Sequence, residues 1–563
     1  MRFVIGFVGL SVLVGTTSAQ VIPQFHDRTD EAGLTVVTYS GGVDKNHILE
    51  STGNGILLFD YDLDGFVDLY VVGAYGLPGD GKTEKNANVL YRNKGDGTFE
   101  DVTDRAGVGL AAYGHGGCVG DFDADGLPDM YITNYGPNVL YRNNGNGTFS
   151  DSTEQAGVGD PKYSIGASFF DADGDKDYDL FVSNYLDTNW EEVHAARRTR
   201  RWRGMVEVLD GPKGLETQAN TFYSNNGDGT FTEATQKAGF DVGADIYGMG
   251  VMSFDYDNDG DIDLYVAGDS SPNCLYRNRG DGTFEEVGVT TGSGYTADGN
   301  TQGSMGVHFG DYDGDGWFDI LVTNFSNDYY TLYKNLNGKM FIDQSFAVGL
   351  AVPTFSSLGW IAALIDVDLD RDLDIFFSNG HIYPQVDLEP SLHELYRQRN
   401  QLFIQENGKF TEVTDKAGDV FKVVESSRGG GFADLDNDGD LDIVVSNQDA
   451  KPTYLENRTD TPYHWAMFQL EDTVGPPLAL GARVEIEAGG ATQMREVSSG
   501  ATYASQSDFR AHFGVGDSTT LDRVSVRWPD GEREVHEALG VDRLYLLKRG
   551  EKPQEVLAAK PRE

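Results

Sequence analysis

The residues best placed to do chemistry in this sequence are aspartates, and their spacing is regular. The nine-residue pattern Asp-x-Asp-x-Asp-x-x-x-Asp occurs seven times with no substitution at its four acidic positions. The copies are Asp60, Asp62, Asp64 and Asp68; Asp121, Asp123, Asp125 and Asp129; Asp171, Asp173, Asp175 and Asp179; Asp255, Asp257, Asp259 and Asp263; Asp311, Asp313, Asp315 and Asp319; Asp366, Asp368, Asp370 and Asp374; and Asp434, Asp436, Asp438 and Asp442. Carboxylates at positions 1, 3 and 5 of a tight loop converge on one point. Position 9 closes the cage, and the carbonyl of position 7 can add a ligand. Hard oxygen donors in a flexible loop suit calcium better than magnesium, which demands a stricter octahedron and keeps its waters. Without a cation, four like charges within nine residues repel one another. The expectation is calcium, with up to seven ions.

Position 6 of the loop is glycine in five copies, Gly65, Gly126, Gly260, Gly316 and Gly439, where it permits a sharp turn. The third and sixth copies carry Lys176 and Arg371 instead. Those two sites are expected to be weaker, because a cation stands beside the cage and a non-glycine residue must take a left-handed conformation. Asp177 and Asp372 add charge that partly compensates.

Other chemistry is sparse. The histidines form no His-Glu-x-x-His, there is no Cys-x-x-Cys and no nucleophile elbow, and the paired carboxylates are already used by the loops. His381, beside Tyr383 and Asp387 in a stretch that breaks the repeat, is a weak catalytic candidate against a plainer packing role. The spacing between the third and fourth loops is the widest, so that unit carries an insertion at about 186–220. In it Arg197, Arg198, Arg200, Arg201 and Arg203 surround Trp202. This basic knot either pairs with the protein's own aspartates or contacts an anionic partner such as an acidic glycan. Arg279-Gly280-Asp281 and the sequon at Asn146 fall on repeated positions of a hairpin and read as repeat grammar; a second sequon stands at Asn457. Six residues before each loop stand Asn54, His115, Ile165, Met249, Met305, Trp360 and Arg428, a set that could line an axis.

The elements that position the loops are strands. Short β-branched and aromatic runs such as Leu69-Tyr70-Val71-Val72 and Ile443-Val444-Val445-Ser446 follow the last aspartate. Five residues before the first aspartate six units have glycine, at Gly55, Gly116, Gly166, Gly250, Gly306 and Gly429, with Ile361 the exception; glycine there marks close backbone approach. A hairpin then follows, as in Leu90-Tyr91-Arg92-Asn93-Lys94-Gly95-Asp96-Gly97-Thr98-Phe99. Each unit therefore holds about four strands, which describes an all-β seven-bladed propeller over residues 20–459. The seventh unit lacks its last hairpin half, and Phe25-His26-Asp27-Arg28-Thr29 supplies it, so the N-terminal strand should close the ring. Residues 460–550 read as a small β domain with strands near Val484 to Glu487, Arg495 to Val497, Arg523 to Trp528 and Arg543 to Leu547, and 551–563 as a loose polar tail.

Composition bounds the function. The 563 residues carry 90 acidic and 43 basic side chains, a formal charge of −47, which excludes nucleic-acid binding by charge. Met1-Arg2, the apolar run Phe3 to Val14 and Thr17-Ser18-Ala19 read as a signal peptide cut after Ala19, and no later run is long enough to span a membrane. A secreted or periplasmic, monomeric protein is expected. Cys118 and Cys274 fall in different units and read as buried thiols rather than a bridge.

The aspartate loops with their glycine and hairpin flanks resemble the FG-GAP or VCBS calcium-loop repeats that build the integrin α-subunit propeller. From His464, the pattern Gly481-Ala482-Arg483-Val484, Ser499-Gly500, Ser505-Gln506, His512-Phe513-Gly514-Val515-Gly516 and Trp528-Pro529-Asp530-Gly531 resembles the ASPIC/UnbV domain. With Gly211-Pro212-Lys213-Gly214-Leu215 and Asn379-Gly380-His381-Ile382-Tyr383-Pro384, the chain resembles the cartilage acidic protein family. The resemblance implies an exported calcium-binding propeller and no established chemistry. Three readings stay open: a binding, adhesion or scaffold module for a protein or extracellular polysaccharide, an enzyme acting on acidic polysaccharide, and a maturation or assembly factor.

Overall fold

A computed structural model describes residues 20–74, 88–189, 191–192, 198–241 and 245–558. The signal-peptide segment 1–19 and Arg197 lie outside the described residues. Seven four-stranded antiparallel sheets are built from the aspartate repeats. In the first, Ile56–Phe59, Asp68–Val71, Val89–Asn93 and Phe99–Asp101 pair in chain order. The aspartate loop joins the first two strands, and its position 9 is the first residue of the second strand in every copy. The first strands of successive sheets contact one another in a closed series that returns from Ser427–Ala433 to Ile56–Phe59. The seventh sheet takes its outer strand from the N-terminus, with Phe25 opposite Asn457 and Asp27 opposite Leu455.

The alternation within the second strands explains their burial. Both faces of each sheet pack on a neighbour, so Leu69, Tyr70 and Val71 are all buried, and the apolar runs show little amphipathic period. Cys118 and Cys274 are buried in the second and fourth sheets and form no disulfide.

The C-terminal part holds two further four-stranded sheets. One contains Ala511–Gly516, His464–Glu471, Arg543–Lys548 and Gln554–Ala558; the other Ala491–Glu496, Arg483–Ala488, Thr520–Arg527 and Arg533–Gly540. Half of these strands were not expected from sequence. The tail expected from residue 551 is corrected as well: Gln554–Ala558 pairs antiparallel with Arg543–Lys548, satisfying an edge that would otherwise be open. Phe468, Val484, Phe513 and Trp528 share one core with Cys118, Phe169 and Tyr178 of the second and third repeat sheets.

Between its sheets this part sends residues 499–507 into the axis of the ring. Leu58 N donates to Gln506 O (2.9 Å) and Gln506 N to Ile56 O (2.9 Å); Val307 N donates to Thr502 O (3.1 Å), and Thr502 Oγ1 to Gly430 O (2.8 Å). This segment crowds Gly55, Gly116 and Gly429, whereas Gly166 and Gly306 meet the backbone of the next repeat's first strand at Met249 O and Trp360 O. A Cβ on Gly55 or on Gly116 would come 1.9 Å from Ala504 O, and one on Gly429 2.5 Å from Tyr503 O.

Candidate metal centres and the opposite face

Each aspartate loop is folded by its own carboxylates. In the first, Asp64 N (3.1 Å) and Gly65 N (2.8 Å) donate to the two oxygens of Asp60, and Phe66 N donates to Asp64 Oδ1 (3.1 Å). Positions 4 and 6 both take left-handed backbone: Leu63, Ala124, Asn258, Leu369 and Asn437 have φ between 56° and 67°, with Gly174 and Gly314 in the other two loops. Position 6 was legible from sequence; the position 4 requirement was not, because five of seven residues there are not glycine.

Position 9 has one job repeated seven times. Its Oδ2 accepts from the backbone N–H of position 2 at 2.9–3.2 Å, from Tyr61, Phe122, Ala172, Tyr256, Tyr312, Val367 and Leu435. Its Oδ1 accepts from the backbone of the hairpin amide residue at 2.7–2.9 Å, Asn93, Asn143, Asn225, Asn278, Asn335, Gln405 or Asn457. The same seven side chains then reach the preceding sheet. Asn143 Nδ2 donates to Tyr61 O (2.8 Å), Asn225 to Phe122 O (2.9 Å), Asn278 to Ala172 O (3.0 Å), Asn335 to Tyr256 O (2.8 Å), Gln405 to Tyr312 O (3.0 Å), Asn457 to Val367 O (2.9 Å) and Asn93 to Leu435 O (2.7 Å). Position 2 of every loop is thus tied to the next repeat around the ring. The recurrence of this amide in all seven hairpins was the sequence signal for it.

The residues fit a divalent cation. In the first three loops, carboxylate oxygens of positions 1, 3 and 9 lie within 4.8 Å of one another, and in the fourth and fifth those of positions 1, 3 and 5 do. Asp62 Oδ1, Asp123 Oδ1, Asp255 Oδ1, Asp257 Oδ1, Asp366 Oδ1 and Asp368 Oδ2 are buried with no hydrogen-bond partner. An acceptor-only oxygen out of water with no donor is costly unless a cation meets it. Burial, with help from Asp64 and Asp62, pushes the Asp60 carboxyl up to about 6 against the hydrogen bonds from Gly65 and Asp64. Burial does the same to Asp171 and Asp311, to about 6, and to Asp121, to about 7. Three loops also hold a basic side chain at their rim: Arg92 pairs with Asp62 (2.5 Å) and Asp64, Arg142 with Asp123 and with Asp125 (2.6 Å), and Lys334 with Asp313 and with Asp315 (3.1 Å). In Asp62 and Asp123 these pairs use Oδ2 and leave Oδ1 facing inward.

At the opposite end of the sheets, where second strands lead into third, two stretches singled out from sequence meet. The insertion forms a hairpin, Thr199–Trp202 with Val206–Leu209. Trp202 Nε1 donates to Glu394 Oε2 (2.7 Å), and its ring lies 6.1 Å from that of His381 and 5.6 Å from that of Tyr383. His381 is 0% exposed. Its Nδ1 accepts from Tyr383 N (3.0 Å), leaving Nε2 to face Ser326 Oγ (3.2 Å) and Glu394 Oε2 (3.5 Å). Burial lowers its pKa. Burial works against ionisation of Glu394 too, but donors from His381, Trp202 and Asn327 outweigh it and bring its pKa down to about 2. His381 is therefore held as a neutral donor inside a packed cluster. Among the arginines, Arg198 pairs with Asp210 (3.0 Å), Arg200 stacks 4.9 Å from the Trp202 ring and donates to Tyr383 Oη (3.3 Å), and Arg203 pairs with Glu394 (3.4 Å). Arg200, Arg201 and Arg203 are exposed. Asn54, His115 and Arg428 are buried; Arg428 stacks 4.2 Å from the Trp360 ring.

Comparison with known families bears on these loops and on the domain beneath them. An FG-GAP-like repeat matches residues 60–132, 121–182, 211–266 and 255–322, and ASPIC and UnbV matches 473–554. The chain carries FG-GAP-like repeats and a C-terminal ASPIC and UnbV domain. It is 28% identical over 294 residues to cartilage acidic protein 1 of Xenopus tropicalis and 29% identical over 280 residues to that of Homo sapiens. These matches take in 51% and 48% of this chain but only 42% and 39% of the relatives' lengths. Among solved structures, an Agrocybe aegerita lectin recognising non-reducing terminal N-acetylglucosamine matches at a TM-score of 0.36 and 16% identity, covering 65% of this chain and 82% of its own. YCF48 bound to a D1 peptide matches at 0.40 and 9% identity, covering 78% and 98%.

The ASPIC and UnbV domain sits on the FG-GAP loops, and this accounts for the two loops that depart from glycine. Lys176 and Arg371 have φ of 78° and 90°, the left-handed conformation expected of them. Their side chains turn to the domain: Lys176 Nζ lies 3.4 Å from Asp530 Oδ2, and Arg371 Nε donates to Val515 O (2.9 Å) and Nη2 to Ser518 Oγ (3.2 Å). In the fourth loop Arg527 Nη1 donates to Asp255 Oδ2 (2.6 Å), and Asp255 N donates to Glu496 Oε1 (3.0 Å). In the seventh, Arg510 Nη2 donates to Asp434 O (2.9 Å), and His512 Nε2 meets Gly439 O (2.9 Å).

Proposed function

We propose that this chain is an exported, calcium-stabilised seven-bladed β-propeller that works as a binding or scaffold module, with calcium structural rather than catalytic. The observation that carries the calcium reading is the set of buried aspartate oxygens with no donor, found in four of the loops. Aspartates 1, 3, 5 and 9 would hold the ion. The third and sixth sites are the weaker ones, since Lys176 and Arg371 are held by the C-terminal domain in a conformation glycine would take without strain. The free binding surface is the end that bears the insertion hairpin, because the domain covers much of the other. There Arg200, Arg201 and Arg203 stand exposed around Trp202 on an otherwise acidic molecule, which suits an anionic partner, an acidic extracellular polysaccharide or an acidic protein segment. The burial of His381 supports non-catalytic binding at this end.

The test is a screen of calcium-loaded protein against an acidic glycan panel at two salt concentrations, repeated with Arg200, Arg201 and Arg203 changed to serine. Salt-sensitive binding lost in the triple variant, with its melting temperature kept, supports the reading. Binding that survives the triple change, or turnover of any glycan, overturns it.

A further inference from the structure

A cavity of about 100 Å³ lies where the axis segment, the C-terminal domain and the first strands of the fifth and sixth repeats meet. One ordered water needs roughly 10–15 Å³, so there is room for several waters or one small molecule. Much of the wall is apolar, with Met252, Phe309, Leu364, Phe432, Met494 and Phe509. Arg495 and His512 also line it, and both carry an unmet valence: Arg495 Nη2 and His512 Nδ1 are buried with no hydrogen-bond partner. Arg495 Nη1 is spent on Met494 O (2.9 Å), and its guanidinium lies 4.9 Å from the Phe513 ring. Among the described residues no carboxylate comes within 4.0 Å of it. Of the other charged groups in the wall, Arg510 pairs with Asp508 (2.5 Å) and Glu496 with Arg483 (2.9 Å), while Asp366 spends Oδ2 on the backbone N–H of Arg371 (3.0 Å) and, like Asp311, acts on Arg495 through space without bonding it. His512 Nε2 is used by Gly439 O at 2.9 Å, so Nδ1 is an acceptor. His308 Nδ1 accepts from Leu364 N (3.3 Å), so its Nε2 is a donor.

A buried guanidinium with a free N–H calls for an anion, and the free imidazole nitrogen beside it calls for a donor. A carboxylate with a hydroxyl and a short carbon chain supplies both and leaves methyl or methylene carbon for the apolar wall. We propose that this interdomain cavity is a binding site for a small hydroxycarboxylate of about lactate size, its carboxylate on Arg495 and its hydroxyl donating to His512 Nδ1. Arg495 belongs to none of the aspartate loops, and although Asp366 of the sixth loop reaches the wall, the insertion face does not contribute to the site.

The experiment titrates calcium-loaded full-length protein with sodium L-lactate and with sodium propionate by calorimetry, using the wild type, Arg495→Met and His512→Phe. Lactate should bind more tightly than propionate; Arg495→Met should weaken both about tenfold or more, and His512→Phe should weaken lactate alone. Because either variant could fail to fold, a crystal of the wild type soaked in lactate provides an independent reading. Lactate density against Arg495 upholds the site. Ordered water alone in the cavity, or equal affinity of folded Arg495→Met, overturns it.

Discussion

Stripping calcium should make this protein's stability fall as pH rises, a dependence that bound calcium removes. The Asp60, Asp171 and Asp311 carboxyls are pushed from 3.8 to about 6 and Asp121 to about 7, with burial the main cause in each. One pKa unit is about 1.4 kcal/mol, so ionising one of these groups in the empty folded loop costs at most roughly 3 kcal/mol, or roughly 4 for Asp121. The sign follows from proton counting. Unfolded aspartates lose their protons near pH 4, whereas the folded ones keep them to about pH 6–7. Across that interval the unfolded state binds fewer protons, so the stability of the calcium-free protein falls as pH rises. Four such loops bring the total to the order of 10 kcal/mol, comparable to the whole stability of a typical domain. Calcium cancels the slope, because it binds the ionised carboxylates and displaces their protons, so that above about pH 5 neither the loaded folded state nor the unfolded chain holds them. A site filled at a thousand times its Kd returns about 4 kcal/mol. The assay is thermal unfolding from pH 5 to pH 8, in excess calcium and in buffer freed of divalent ions. The two melting curves should diverge with rising pH, staying level with calcium and falling without it. Parallel profiles, or a melting temperature at pH 8 indifferent to calcium removal, would refute the reasoning.

Three substitutions probe the supporting structure. Asn143→Ala removes the donor to Tyr61 O (2.8 Å) and Pro128 O (3.2 Å) and leaves buried carbonyls unpaired, which should cost about 1–3 kcal/mol in urea unfolding; an unchanged midpoint counts against the ring of amides. Gly116→Ala places a Cβ 1.9 Å from Ala504 O, backbone that cannot swing aside, and should cost about 1–3 kcal/mol and speed hydrogen exchange across 499–507; wild-type protection there would mean the axis segment is not seated as described. Arg371→Gly relieves a left-handed conformation worth roughly 1–2 kcal/mol but deletes the bonds to Val515 O and Ser518 Oγ. Calcium should then bind the sixth loop more tightly while 511–518 exchanges faster, and a slower exchange would contradict the docking role of Arg371.

Much of this architecture is legible in the sequence because the repeat writes its constraints five to seven times over. The aspartates recur at fixed offsets in seven units and the inner glycines in six, the hairpin amide recurs near the end of each third strand, and the incomplete seventh unit points to Phe25–Asp27 as its missing strand. What is not legible is set by contacts between distant segments. Gly55 and Gly116 read as close approach, yet the approaching atom belongs to Ala504, and nothing local to either stretch names the other. Lys176 and Arg371 read as defects of the cage until Asp530 and Val515 are seen beside them. His381 stood out by its irregular surroundings, but it shares a buried cluster with Trp202 of the insertion, and burial is what withdraws it from solvent chemistry.

The division of labour between the two ends of the molecule follows from where charge is spent. On the loop face, acidic groups are concentrated beyond what water can solvate, and three kinds of cation answer them: the expected ions in the cages, the rim residues Arg92, Arg142 and Lys334, and the arginines of the C-terminal domain. Arg527 on Asp255 belongs to the domain, not to the repeat, so docking itself supplies positive charge that an empty fourth loop lacks. The cages and the docked domain therefore stabilise the same set of carboxylates. An ion bound in the third, fourth, sixth or seventh loop would face the domain rather than an outside ligand, and there it would brace the ring against the docked domain. On the insertion face the balance is opposite. Arg198 and Arg203 meet Asp210 and Glu394, while Arg200 and Arg201 keep their charge toward solvent beside an aromatic cluster already fixed by Glu394. The cationic and aromatic surface of the insertion thus stands at the end of the ring opposite the aspartate loops, and it is there that the proposed recognition of an anionic partner is to be tested.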